Sequence, residues 1–144
     1  MIIKRIIFLI LIVIMLNGCN VAPTFIRPEG KVTLDKSEYI MNIGELKWKE
    51  HDFETSKIRT SDNYELASEF STLEGEKGEE LTFEIDQNPT SIIINKWNTD
   101  LTSDSIEVRD NKITLPLEGG YYFYEVIVER PQGKAIYIFD VDVK

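Results

Sequence analysis

The chain has 144 residues, with 16 Lys and Arg against 25 Asp and Glu, for a net charge of −9. That balance excludes a broad nucleic-acid-binding face, which needs a surplus of cations, and the single cysteine excludes an intramolecular disulfide. A hydrophobic content of 42%, with 10% aromatic residues, is enough for a packed core and argues against a disordered acidic stalk.

At the N-terminus, Lys4 and Arg5 precede an unbroken apolar run from Ile6 to Leu16, followed by Asn17-Gly18-Cys19. This is the layout of a secretory signal peptide over residues 1–18. As a helix the run reaches roughly 16 Å, about half of the ~30 Å hydrocarbon core, so it is too short to span a bilayer. The ending Leu16-Asn17-Gly18-Cys19 resembles the lipobox of bacterial lipoproteins, although Asn17 is larger and more polar than the usual occupant. The resemblance implies cleavage between Gly18 and Cys19 and lipidation of the Cys19 thiol by acyl chains such as palmitate. The protein would then be held on the extracytoplasmic face of the cell membrane, since two chains anchor where one would let go. The alternative is an ordinary cleaved signal with a spare thiol. Losing residues 1–18, which carry Lys4 and Arg5 and no acid, turns −9 into −11. A surface this acidic is repelled by anionic lipid, so the lipid rather than the protein surface is expected to anchor.

Residues 19–31 contain Pro23, Pro28 and Gly30 without periodicity and read as a flexible tether. One domain is expected over 32–144. Val32 and Leu34, then Leu46 and Trp48, alternate with polar neighbours as strands do. His51 to Ser61 reads as an irregular loop. Asp62, with Glu65 three positions on and Leu66, Ala67 and Phe70 at helical spacing, predicts one short helix near 63–70.

Thr72 to Glu80 reads as a solvated connection. Leu81, Phe83 and Ile85 alternate as a half-buried strand, and the three isoleucines within Ser91 to Trp97 predict a central strand covered on both faces. Short strands are expected at Ile106–Val108 and Lys112–Leu115. Two long strands, Tyr121–Arg130 and Ala135–Val143, are joined by Pro131-Gln132-Gly133 as a hairpin. So many short strands with turn signals between them define an antiparallel β-sandwich.

Leu115-Pro116, Gly120-Tyr121-Tyr122-Phe123-Tyr124-Glu125-Val126, Gly133, Tyr137-Ile138-Phe139 and Val141-Asp142-Val143 resemble the ending of many small lipoproteins of Bacillus-type, Gram-positive bacteria. Tyr39, Met41, Gly44 and Trp48 resemble their beginning. The resemblance implies an immunoglobulin-like C-terminal domain and carries over no catalytic residue. It sets Tyr122 where such folds place a tyrosine corner, whose hydroxyl ties back to upstream backbone.

His51 is the only histidine, which excludes a multi-histidine metal site. No serine lies in a nucleophile-elbow pattern, no phosphate-binding glycine loop opens a helix, and no cofactor is expected. Asp100, Asp104 and Asp110 lack the dense spacing of a calcium loop, and Asp140 and Asp142 read as solvating charge that guards a strand edge. Lys47, Lys49, Lys57 and Arg59 are spread among acids. On the two long strands, Tyr121, Phe123, Ile127, Ile136 and Ile138 share the face away from Tyr124 and Phe139. They form a candidate interaction face, unless the segment before Leu81 folds over it. The loops Glu50–Ser61 and Asn98–Asp104, with Asn98, Asp100 and Asp104, are candidate contacts. The expected role is non-enzymatic: binding to, or supporting, another envelope protein or a cell-wall polymer. Inhibition of an exported protease through an exposed loop is the alternative, and a carboxylate-dependent hydrolase follows it.

Overall fold

The computed structural model describes residues 2–3, 26–57 and 62–144, so the expected signal peptide, Cys19 and most of the expected tether lie outside the described residues. In order along the chain come β1 Gly30–Leu34, β2 Ser37–Ile40, β3 Asn42–Glu50, β4 Phe53–Lys57, α1 Asn63–Ser68 and β5 Leu73–Gly75. They are followed by β6 Glu80–Ile85, β7 Ser91–Trp97, β8 Ser103–Ile106, β9 Lys112–Thr114, β10 Gly120–Arg130 and β11 Gly133–Val143. One sheet has the order β2-β1-β6-β9; the other runs β4-β3-β11-β10-β7-β8, with β5 added in parallel along the end of β11. The two face each other as an immunoglobulin-like antiparallel β-sandwich with one short helix, as the alternation and turn spacing predict.

Alternation decides which side chains meet. Tyr122, Tyr124, Val126 and Val128 of β10 and Tyr137, Phe139, Val141 and Val143 of β11 point inward, onto Val32 and Leu34 of β1 and Leu81, Phe83 and Ile85 of β6. Tyr124 and Phe139 stack with ring centroids 4.9 Å apart. Among the described residues the hydrophobic core lies between Val32 and Val143, with Pro28 buried beside it, so a chain beginning at Asn20 keeps the described core.

The β10–β11 hairpin keeps register from Gly120 opposite Val143 to Arg130 opposite Gly133, which leaves Pro131 and Gln132 as a two-residue turn. At Gly133, with φ +154°, an added Cβ would sit 1.9 Å from the Lys47 carbonyl oxygen. Only glycine lets β3 close onto β11 there. The Tyr122 hydroxyl donates to the Glu118 carbonyl at 2.9 Å, the tyrosine corner that the resemblance implied.

Several expectations are corrected. The segment read as a loop from His51 to Ser61 contains β4, which pairs with β3 through backbone and carries too little alternation to announce itself. The supposed connection from Thr72 to Glu80 contains β5, in which Leu73 and Gly75 are buried; three residues are too few to show a period. On β7, Ile94 is buried but Ile93 is 46% exposed, so that strand is not covered on both faces. The strand expected at Ile106–Val108 lies at Ser103–Ile106 instead. Gly30 and Lys31, read as tether, belong to β1. Glu29 is docked too: its N–H donates to an Asp86 carboxylate oxygen at 3.1 Å, and its carbonyl accepts from Asp86 N–H. Tyr137 donates to the Pro28 carbonyl at 2.9 Å, and burial pushes its hydroxyl up to about 12.

Candidate functional site: a basic cleft at the hairpin end

The strand face expected to receive a partner is largely interior. α1 lies across it, with its N-terminus capped by the Asp62 carboxylate accepting from Glu65 N–H at 2.8 Å. Ala67, too small to hold the helix away, packs with Phe123, Ile136 and Ile138 in a second cluster; Tyr121, Ile127 and Trp97 are half-buried around it. Trp97 and Phe123 stack at 5.4 Å. The segment before Leu81 folds over the face, and this burial removes Phe123, Ile136 and Ile138 from the candidate contacts.

Asp140 is corrected with them. Its strand, β11, is flanked by β10 on one side and by β3 and β5 on the other, so it guards no edge. Its side chain is 1% exposed. One carboxylate oxygen accepts from the Tyr121 hydroxyl at 2.7 Å and from the Thr72 hydroxyl at 3.0 Å. The other has no hydrogen-bond partner among the described residues. Burial pushes this carboxyl above its usual range, against the pull of the two hydroxyl donors.

The loop after β7 holds Asn98, Asp100 and Asp104 at the end of the sandwich opposite the β10–β11 turn. Its polar groups are spent on one another. The Asn98 amide donates to Thr102 Oγ1 at 3.0 Å and to an Asp104 oxygen at 3.1 Å. Asp100 accepts from the Thr102 N–H at 3.0 Å and hydroxyl at 2.5 Å, which holds its carboxyl below the usual range. Lys96 pairs with Asp104 at 3.6 Å. Among the described residues no three His, Cys, Asp or Glu side chains converge as metal ligands would. His51 is an exposed turn residue between β3 and β4, with φ +53°.

At the other end lies a cleft of about 390 Å³ between the β10–β11 turn and the β3–β4 ribbon. Four cations, Lys47, Lys49, Arg130 and Lys134, line it against two carboxylates, Glu54 and Glu129. Arg130 forms part of its floor. The guanidinium lies over the Trp48 ring with its centre 5.4 Å from the ring centroid, and donates to the Asp86 carbonyl and to Gln87. Burial pulls its pKa down.

The lysines are different. Lys31, Lys96, Lys112 and Lys144 each meet a carboxylate, and Lys57 donates to the Ile43 carbonyl. Lys47, Lys49 and Lys134 make no ion pair or side-chain hydrogen bond among the described residues. Lys47 and Lys134 are moreover register partners on adjacent strands, on one face. Like charges placed directly opposite destabilise a ladder, and Glu129, across from Lys134 on β10, is the acid in register with the pair.

A second cleft, of about 330 Å³, lies where β1 and β3 begin. It pairs two cations, Arg27 and Lys57, with two acids, Glu29 and Glu69, and Lys57 is already engaged. Sequence reading missed the first cleft because Lys47 and Lys134 are 87 positions apart; the Gly133 that lets their strands meet was its one visible signal. Comparison of the chain with protein-family models, with curated proteins and with solved structures gives no match.

Proposed function

We propose that the chain is an extracytoplasmic lipoprotein, held on a cell membrane through lipid on Cys19, whose sandwich has a non-enzymatic binding or accessory role in the envelope. The cleft of Lys47, Lys49 and Lys134 is its binding region, and the ligand is anionic. The observation that carries this reading is the Lys47–Lys134 couple: in a chain with 25 acids, two cations are held opposite each other and neither is in an ion pair among the described residues, although Glu129 stands across from Lys134 on β10. An anion seated there would relieve the repulsion that the fold leaves in place.

Two measurements test the reading. The mass of the protein extracted from membranes should show a cleaved, diacylated Cys19, and Cys19→Ser should leave the membrane fraction. An unmodified wild-type chain recovered from the medium would overturn the anchoring. A second reading, inhibition of an exported protease, draws support from the exposed Asn98–Thr102 loop, because internal hydrogen bonds stiffen it as an inhibitory loop requires. That reading requires protection, or a single nick, at the loop during digestion.

A further inference from the structure

The cleft and the point where the chain joins the sandwich are at the same end. Asp86, in the turn between β6 and β7, exchanges hydrogen bonds with Glu29, and its carbonyl accepts from Arg130 on the floor of the cleft. Pro28 and Glu29 therefore sit one turn away from the unpaired lysines. Pro28 is nine positions after Cys19, a reach of at most roughly 32 Å even when fully extended.

We infer that this end of the sandwich rests on the bilayer, and that Lys47, Lys49 and Lys134 take the phosphate group of an anionic phospholipid headgroup. The inference rests on the lipid-anchored reading above and supplies the ligand for the cleft proposed there. Proximity to the anchor, not net charge, favours this orientation: the cleft end itself exposes Glu29, Glu50, Asp52, Glu54 and Glu129 beside its lysines, and the opposite end exposes Glu74, Glu76, Asp100 and Glu118. The lysines therefore meet the headgroups locally, within a surface that is acidic as a whole. An ammonium is a flexible point charge suited to phosphate, and three of them line a cleft in which none is in an ion pair among the described residues, although Glu54 and Glu129 line it too.

The test uses the chain from Asn20 to Lys144, which keeps the core of the described residues and has no acyl group. It is sedimented with vesicles of phosphatidylcholine alone, or of phosphatidylcholine with a minority of phosphatidylglycerol. Binding to the anionic vesicles only is expected, and Lys47→Glu with Lys134→Glu should weaken it at least tenfold, at roughly fivefold per lysine before the reversal of sign is counted. Lys36→Glu with Lys77→Glu changes net charge equally at the far end and should leave binding within about twofold. Lys47→Gln with Lys134→Gln gives the same loss in smaller measure, and a melting temperature no lower than that of the wild type shows that folding is not the cause.

Equal loss in the two charge-reversed variants would overturn the inference, and so would binding that ignores lipid charge. Displacement by inorganic phosphate at matched concentration would assign the cleft to free phosphate. Binding to a soluble poly(glycerol phosphate) but not to vesicles would assign it to a polymer. Either result removes the headgroup as ligand. Because this chain lacks Cys19, the assay fails or succeeds independently of whether Cys19 is lipidated in cells.

Discussion

The two ends of the sandwich use their polar side chains in opposite ways. In the loop after β7, Asn98, Asp100, Thr102, Asp104 and Lys96 satisfy one another through hydrogen bonds and an ion pair. In the cleft beside the β10–β11 turn, Lys47 and Lys134 face each other and neither is in an ion pair among the described residues, although Glu129 stands across from Lys134 on β10. The first arrangement holds a loop in shape. The second leaves the lysines of the cleft out of ion pairs, where an anion from outside the fold can meet them. Polar residues at a loop are thus a weak pointer to function until their partners are known, and here the loop chosen from sequence is the self-satisfied one.

If the comparison holds, residues used by the fold lose stability on substitution, whereas residues in the cleft lose binding alone. The largest effect belongs to Phe139→Asp. Phe139 is fully buried against Tyr124 and Phe70, and an unpaired carboxylate there costs several kcal/mol, on the order of the whole stability of a small domain. No cooperative thermal transition is expected; a soluble, cooperatively melting variant would place Phe139 on the wrong face.

Gly133→Ala comes next. It drives a Cβ into the Lys47 carbonyl, and a loss of about 3 kcal/mol in denaturant titration is expected, at the upper end of what overpacking costs. It would also separate β3 from β11, so vesicle binding should fall with stability, unlike in the lysine variants.

Asp140 gives a dependence on pH. An unfolded Asp titrates near ~3.9, and burial makes the folded carboxyl hold its proton to higher pH. Between those two values the native state binds more protons than the unfolded one, so stability falls as pH rises through the window and is level above it. Asp140→Asn should remove that fall and leave the domain more stable than wild type at neutral pH. Denaturant midpoints across the acid range read it directly. A steeper fall in the variant would mean that the Tyr121 and Thr72 bonds outweigh burial.

The smallest stability effect is that of Lys47→Gln with Lys134→Gln. Removing two opposed charges should raise stability by a few tenths of a kcal/mol, whereas Asn98→Ala, which removes two hydrogen bonds, should lower it by about 1 kcal/mol. Opposite signs at the two ends are what the comparison requires.

Much of this fold was legible in the sequence, and the reason is periodicity. Tyr122 to Val128 and Tyr137 to Val143 alternate over long enough runs to fix strand, face and hairpin together, and the Asp62–Glu65 spacing located α1. Strands such as β4 and β5 were not legible, because backbone pairing with an existing strand makes them and their short runs carry too little alternation. The cleft was least legible of all. It depends on the register between β3 and β11, including an irregularity between Ile136 and Tyr137, and no local pattern encodes which lysines that register brings together. The covering of Phe123 and Ile138 was open from sequence for a related reason. Alternation shows that a second apolar face exists, but what covers it is decided by a six-residue helix arriving from elsewhere in the chain.

The most direct measurement is photo-cross-linking in intact cells, with a reactive side chain at Gln132 beside the cleft and, separately, at Thr99 in the opposite loop. Phospholipid adducts at Gln132, with none at Thr99, are the result that a membrane-facing basic cleft predicts. Adducts at Thr99 alone, or protein adducts at Thr99 with Gln132 silent, would contradict it and return the binding region to the loop.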